Sequence, residues 1–184
     1  MDNQEFLKRL LNSDDVVKSI RENQDELTNI IPEIDPMIGF KHCHPHHHLD
    51  VWEHTLLALS LSPNNFDIRL ALLLHDIGKP YCFQNDYGIR HFHGHPIQSE
   101  YMAGHILKDL GYKEDYVEYI KKLVLKHDTP LREKDIANDY EFSKTLFEVQ
   151  KCDALAHNPE KNAKRLKYID EITKLFQELN PEKE

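Results

Sequence analysis

The chain has 184 residues, with 23 Lys and Arg against 32 Asp and Glu, and its formal charge at pH 7 is −9. That length fits one domain with its own apolar core, and the acidic balance argues against a protein that coats nucleic acid through a basic face. The cysteines Cys43, Cys82 and Cys152 are odd in number and widely spaced, which is typical of reduced thiols and not of a disulfide framework. The N-terminus lacks the features of a signal peptide, and no stretch approaches the ~18 apolar residues of a membrane span. We therefore expect a cytoplasmic protein without membrane contact.

Hydrophobic periodicity is helical along nearly the whole chain. Phe6, Leu7, Leu10 and Leu11 predict a first helix, and a second begins after the cap candidates Ser13 and Asp14. The prolines and glycine of 32–45 predict a loop. Further helices are predicted at 50–61, 66–74, 96–110, 114–126, 140–156 and 159–179, with a hairpin in 81–92 that turns at 86–88. The pattern predicts one all-α domain over residues 1–184 with a small β-hairpin.

The doublet His75-Asp76 stands at the end of the most apolar predicted helix. Imidazole supplies one neutral nitrogen ligand to a metal, and a carboxylate can bind one cation or bridge two. Further candidate ligands lie on other predicted helices: His54, His95, His127 and Asp153. Asp153 falls on the predicted inner face of its helix, where a lone carboxylate is costly unless it is paired or metal-bound. Six groups from five segments therefore predict a metal site.

Each of these residues also has a simpler explanation when it is taken alone. His54 could be a histidine on a helix surface, and His75 could interact with the negative pole of a helix dipole. Another histidine, His105, lies ten residues after His95 and therefore faces away from the same side of the helix, so we exclude it as a ligand. The ordered set as a whole favours the metal interpretation.

In their order along the chain, the six residues resemble the ligand set of the HD-domain superfamily of metal-dependent phosphohydrolases. Within it, the resemblance is strongest to the HD domain appended to bacterial CCA-adding tRNA nucleotidyltransferases. Three segments carry it: His47-His48-Leu49-Asp50-Val51-Trp52-Glu53-His54-Thr55-Leu56, His91-Phe92-His93-Gly94-His95 and Asp153-Ala154-Leu155-Ala156. The stretch from His95 to Leu107 is similar to the HPxxGAxIL segment of HD-GYP phosphodiesterases, although Glu100 and Tyr101 replace its small residues and the GYP motif is absent. We expect a stand-alone HD domain, with a core at about 41–157 and flanking helices in 1–31 and 159–180.

The resemblance implies an HD-domain helical bundle that holds two divalent metal ions. His54, His75, Asp76 and Asp153 would hold the first metal. His95 and His127 would hold the second, with Asp76 bridging. The implied reaction is attack of a metal-bridged hydroxide on the phosphorus of a phosphomonoester or phosphodiester. The donor set does not choose among Fe, Mn, Co, Ni, Zn and Mg.

Other residues receive roles around this centre. Lys79, four residues after His75, is predicted to contact phosphate, and Asp50 to accept the second N–H of His54. His91 matches a family position and His48 adjoins a ligand helix, so both are predicted to contact substrate. Surface positions are favoured for His44, His46 and His47, a structural or solvated position for His93, and a core position for Trp52. Asp76, Lys79 and His127 are the predicted catalytic residues.

The expected substrate is a small phosphorylated molecule, for which we favour a nucleotide. The resemblance suggests phosphatase, 2′-nucleotidase and 2′,3′-cyclic phosphodiesterase activities, without a stable nucleic-acid complex. Two other classes stay open, because the same ligands suit an HD-fold di-iron oxygenase, and a non-catalytic module could bind a nucleotide or a metal. The Glu- and Lys-rich segment 160–184 fits a solvated face or a homodimer contact.

Overall fold

The computed structural model describes residues 2–179, which form ten α-helices and one two-stranded sheet. The first six helices are α1 (Asn3–Leu11), α2 (Val16–Glu22), α3 (Gln24–Ile30), α4 (Val51–Ser60), α5 (Phe66–Leu74) and α6 (His95–Asp109). The last four are α7 (Glu114–Lys126), α8 (Glu133–Asn138), α9 (Tyr140–Leu155) and α10 (Ala163–Glu178). Short 3-10 helices lie at Pro32–Met37, Lys79–Tyr81 and Pro159–Lys161. The all-α prediction is confirmed.

Helix α5 forms the centre of the core. Asn65 caps it, because its Oδ1 accepts a hydrogen bond from the N–H of Ile68 at 3.1 Å. All its residues from Ile68 to Leu74 are buried, and it packs against α1, α4, α7 and α9. An apolar helix buried on every side must lie among other helices. Its C-terminal end therefore points into the interior, and His75 and Asp76 follow there.

The predicted hairpin is present but shorter than residues 81–92. Strand β1 (Gln84–Asp86) pairs antiparallel with β2 (Ile89–His91). Tyr87 and Gly88 make the two-residue turn, with φ of 47° and 87°. Two positive φ angles match the twist of the flanking strands. The hairpin places His91 and the chain that follows it beside the start of α6.

Four local predictions differ from the structure. Part of the predicted loop 32–45 is a 3-10 helix, because Ile34 and Met37 are fully buried and a first-turn proline favours a helical start. Asp15 caps α2 instead of Ser13 or Asp14, since its Oδ1 accepts from the N–H of Lys18 at 3.0 Å. Helix α8 was not predicted. The predicted 159–179 helix begins as a separate 3-10 turn, and residues 180–184 lie outside the described part of the chain.

No helix within residues 2–179 combines the length and the apolar character needed to cross a bilayer.

Candidate metal centre

The six predicted ligands meet in the interior, mostly at the ends of helices. His54 lies within α4 and Asp153 lies near the end of α9. His75 caps the C-terminus of α5 and His127 that of α7, whereas His95 is the first residue of α6. Asp76 follows His75 directly. We call these the six-residue centre: His54, His75, Asp76, His95, His127 and Asp153.

One side of the centre gathers His54, His75 and Asp153 around one oxygen of Asp76. His54 Nε2 lies 2.8 Å from Asp153 Oδ1 and 3.7 Å from Asp76 Oδ2. His75 Nε2 lies 3.2 Å from Asp76 Oδ2 and 3.5 Å from Asp153 Oδ1. Two imidazole nitrogens and two carboxylates thus face a common point.

The other side gathers His95 and His127 around the second oxygen of Asp76. Their Nε2 atoms lie 3.3 Å and 3.8 Å from Asp76 Oδ1. The two Nε2 atoms are only 3.2 Å apart. Asp76 therefore presents each of its oxygens to a different group of histidines, which is the geometry of a carboxylate that can bridge two cations.

The four histidines are oriented by backbone carbonyls. His54 Nδ1 donates to the Ala156 carbonyl at 3.2 Å, and His75 Nδ1 donates to the Leu72 carbonyl at 2.6 Å. His95 Nδ1 donates to the Phe92 carbonyl at 2.9 Å, and His127 Nδ1 donates to the Val124 carbonyl at 2.6 Å. A carbonyl oxygen only accepts, so Nδ1 must carry the proton. Whenever one of these rings is neutral, its Nε2 therefore has a free lone pair, and this is the form of imidazole that binds metals.

The polar atoms of the centre fit a cation better than they fit each other. His75 Nε2 and both oxygens of Asp76 are buried and have no hydrogen-bond partner among the described residues. Lys79 Nζ lies 2.6 Å from Asp76 Oδ2 as an ion pair, without the angles of a hydrogen bond. Buried polar atoms without partners are costly, and metal coordination removes that cost. Three overlapping residue groups could each hold an ion: His54, His75 and Asp76; His54, Asp153 and His157; Asp76, His95 and His127.

Burial and charge within the centre shift the pKa values of its residues in opposite directions. Burial disfavours charge on Asp76, yet His75 and Lys79 outweigh it and hold the pKa of Asp76 well below its usual range. Burial also opposes protonation of His75, but the carboxylates of Asp76 and Asp153 raise its pKa to about 10. Burial and the charge of His75 lower the pKa of His127 to about 3. Without metal, a protonated His75 balances the carboxylates in place of a cation.

Lys79 lies at the floor of the cavity in front of the centre, and its ammonium is held from two sides. Besides its contact with Asp76, Nζ lies 3.2 Å from Nε2 of the buried His42, whose Nδ1 donates to the Leu49 carbonyl at 2.8 Å. The phosphate contact of Lys79 stays a prediction. Sequence reasoning missed His42 because it lies in the predicted loop 32–45, where no periodicity marks an inner face.

Two side predictions are not supported by the geometry. Asp50 does not orient His54, because Asp50 caps α4 through a 2.8 Å hydrogen bond from the N–H of Glu53. His48 is exposed and is not among the side chains that line the cavity, whereas His47 lines it and packs against His157 with ring centroids 4.5 Å apart. His91 does line the cavity, together with His93, and their rings stack. Trp52 is a core residue, as expected, and donates to Gln24.

The cavity in front of the centre measures about 690 Å³. Asp76 and Asp153 reach it from the centre, and Ile97 and Leu125 give it an apolar side. Arg165 of α10 reaches it from a helix for which the sequence indicated a solvated face or a homodimer contact. A space of this size accepts a small molecule and leaves room for groups beyond the reacting one.

Comparisons with known proteins agree with this arrangement. The HD domain family matches residues 46–175. The CC-adding tRNA nucleotidyltransferase of Thermus thermophilus is 36% identical over 104 residues, which cover 53% of this chain and 24% of that protein. The A-adding tRNA nucleotidyltransferase of Deinococcus radiodurans is 40% identical over 88 residues, which cover 44% of this chain and 20% of that protein. The chain thus matches a quarter or less of the length of these curated relatives.

Proposed function

Because the chain belongs to the HD domain family, a superfamily of metal-dependent phosphohydrolases, we propose that it hydrolyses a phosphomonoester or phosphodiester. The proposed substrate is a small nucleotide. The observation that carries the proposal is Asp76, whose two oxygens face His54 and His75 on one side and His95 and His127 on the other. Such a shared carboxylate suits two divalent cations held close together.

The proposed metal ligands are the members of the six-residue centre. Bound cations would supply a water molecule acidic enough to attack phosphorus near neutral pH, and positive charge for the phosphoryl oxygens. The chain's own contribution is orientation, because the carbonyl partners of Nδ1 keep the four Nε2 lone pairs directed inward. Lys79 contributes an ammonium at the cavity floor, where a phosphoryl oxygen would bind, and His91 lines the cavity wall.

The relatives' names concern tRNA, but the whole-protein activity of those enzymes is not carried over to this chain. The matched part is a quarter or less of each relative. The formal charge of −9 disfavours the phosphate contacts that a whole tRNA would require of this chain alone. Nucleotides with 2′-phosphate or 2′,3′-cyclic phosphate groups are therefore the first substrates to assay.

The decisive experiment combines metal analysis with a phosphoester panel. Protein purified without oxygen is analysed for metals, stripped with a chelator, and assayed with Mn, Fe, Co, Ni, Zn or Mg restored singly. We expect hydrolysis to return with at least one metal and to fall by ~100-fold or more in Asp76→Asn and Asp153→Asn, because each removes a charged ligand. The exposed Asp109→Asn makes the same change outside the centre and should keep full activity.

Two outcomes would contradict the proposal. If hydrolysis persisted in both variants and in the presence of the chelator, the reaction would not depend on a metal at this centre. Oxygen consumption with an iron-loaded protein, without hydrolysis of any ester, would support the di-iron oxygenase class instead.

A further inference from the structure

A second cavity opens beside the six-residue centre and runs along α10. We call it the side groove, and its volume is about 330 Å³. His127 and Asp153 of the centre line it, together with Lys164 and Tyr168 of α10. Arg165 lines both the side groove and the main cavity. A ligand held at the centre could therefore extend into the side groove past Arg165.

Two neutral polar side chains of the side groove, Gln150 and Tyr168, already form hydrogen bonds inside the protein. Gln150 Nε2 donates to the carbonyls of Lys126 and Thr129 at 3.0 and 2.7 Å. The hydroxyl of Tyr168 donates to Gln150 Oε1 and accepts from the N–H of Leu131 at 3.0 Å. These bonds fix one wall of the groove and occupy Gln150 and Tyr168, whereas the charged side chains of α10 are still available to a ligand.

Lys164 and Arg165 of α10 are not paired with other residues in the described part of the chain. Neither side chain forms an ion pair or a hydrogen bond with a residue in the range 2–179, and Asp128, which also lines the groove, pairs with neither. Lys167, two residues further along the helix, pairs instead with Glu171 at 3.5 Å. Two unpaired cations at one cavity are notable in a chain with a formal charge of −9.

Arg165 is half-buried and lies where the two cavities meet, because its side chain lines both of them. A guanidinium in such a position matches the oxygens of a phosphoryl group through two parallel hydrogen bonds.

Resting on the proposed function, we propose that Lys164 and Arg165 bind a second phosphoryl group of the substrate. The substrate class is then a nucleotide with two phosphoryl groups: one reacts at the six-residue centre while the other lies in the side groove. Arg165 is a specificity residue in this scheme, since it selects among substrates and does not contact the reacting phosphorus.

The test compares adenosine 2′-monophosphate with adenosine 2′,5′-bisphosphate on Mn²⁺-supplemented protein. The quantity measured is the ratio of their Kd values by calorimetry, or of their kcat/KM values wherever hydrolysis occurs. We expect the wild-type protein to prefer the bisphosphate about tenfold or more, because a charge-assisted contact is added. Arg165→Ala should reduce that preference about tenfold, and Lys164→Ala by a smaller factor.

Two further variants separate the subsite from general charge effects. Arg165→Lys keeps the charge and should retain part of the preference, whereas Lys167→Ala removes a charge from the same helix outside the groove and should retain all of it. Equal affinity of the wild-type protein for the two nucleotides, or an unchanged ratio in Arg165→Ala, would overturn the inference. Failure of the protein to hydrolyse any ester would overturn the proposed function alone, because the Kd ratio would still decide the subsite.

Discussion

Three of the four histidines in the six-residue centre are oriented by carbonyl groups at helix ends. The last four carbonyls of an α-helix have no N–H partner within the helix. Leu72 and Val124 supply such carbonyls near the ends of α5 and α7, and they accept from His75 and His127 three residues later. Ala156, just after α9, does the same for His54. A histidine that follows a buried helix is thereby held with Nε2 directed at the neighbouring helix ends.

At this scale the first prediction concerns metal-linked stability. Mn²⁺ should raise the free energy of unfolding of the wild-type protein by about 2.7 kcal/mol at a hundredfold excess over Kd, because the ion binds the folded state. Asp76→Asn should lose this rise, since it removes the carboxylate shared by both histidine groups. Denaturant unfolding with Mn²⁺ and with EDTA measures the difference. Asp109→Asn is the matched control. If Mn²⁺ stabilised Asp76→Asn as much as the wild-type protein, metal binding at Asp76 would be contradicted.

The sequence predicted the members of the centre better than the residues around it. The six-residue set could be chosen because its types and order match one family. His42 and Arg165 could not, because neither falls on a predicted inner face. Asp50 was assigned the wrong partner, since the unpaired N–H groups at the start of α4 compete for its carboxylate. Local hydrogen bonds of this kind depend on backbone angles that residue spacing does not specify.

At the scale of elements, the turn after His75-Asp76 packs closely against α6. The N–H of Gly78 donates to Ser99 Oγ at 2.9 Å. A Cβ atom at position 78 would lie 2.6 Å from the backbone nitrogen of Ser99 and 2.9 Å from Gln98 Cβ. The turn and α6 therefore touch backbone to backbone, which holds His95 at a fixed distance from Asp76. Only glycine permits so close an approach.

Gly78→Ala should consequently damage both stability and the His95 side of the centre. We expect a loss of about 1–3 kcal/mol in the free energy of unfolding, because α6 must shift to relieve the overlap. The number of metal ions bound per chain should also fall. Gly104→Ala serves as the control within α6, since its Cβ would meet only the flexible tail of Lys121 at 3.0 Å. If Gly78→Ala and Gly104→Ala lost the same stability and bound the same number of metal ions, the contact of Gly78 with α6 would have no such role.

Element type was predictable where the apolar pattern is long and failed where elements are short. The helices that became α4, α5, α7 and α9 each carry several buried residues at helical spacing. Helix α8 has six residues and buries only Ile136 among them, so its pattern has no period to detect. The same applies to the 3-10 helix Pro32–Met37, where two buried side chains override a proline-rich composition.

For the whole molecule, buried neutral histidines predict acid sensitivity of the metal-free protein. Burial and the charge of Lys79 lower the pKa of His42 to about 2, and burial lowers that of His157 to about 4. The unfolded chain binds protons at these sites below pH ~6.5 and the folded chain does not, so stability falls as pH drops. Asp76 and Asp153 stay ionised in this range, and His75, with its pKa near 10, is already protonated.

We therefore expect the free energy of unfolding in EDTA to decrease between pH 6.5 and 4.5. Each such histidine contributes up to about 1.4 kcal/mol per pH unit. His42→Gln should give a shallower slope, because it removes one of the protonation sites. Urea unfolding at four pH values measures the slope, and a slope that is flat in the wild-type protein would contradict the neutral state of these rings.

The helices before residue 32 were predicted to flank the core, and their contacts suggest that they unfold with it. Arg69 of α5 is 4% exposed, and its Nη1 donates to the carbonyls of Leu11 and Ser13 at 2.6 and 2.8 Å. These bonds join the end of α1 to the central helix. Buried carbonyls that lose a charged donor are costly, so we expect the contacts of Arg69 to make the first helices unfold together with the core.

Arg69→Leu should lower the free energy of unfolding by about 2–4 kcal/mol, because it leaves those carbonyls without a partner. Circular dichroism and the fluorescence of Trp52, the chain's one tryptophan, should still report a single coincident transition. Arg132→Leu, which removes an exposed pair with Asp135, should lower the free energy of unfolding far less than Arg69→Leu does. A separate early transition in Arg69→Leu, seen by circular dichroism but not by Trp52, would mean that the N-terminal helices form a unit of their own. A single shifted transition would support one domain that runs from α1 to α10, so that the groups around Asp76 are held in place by the whole chain.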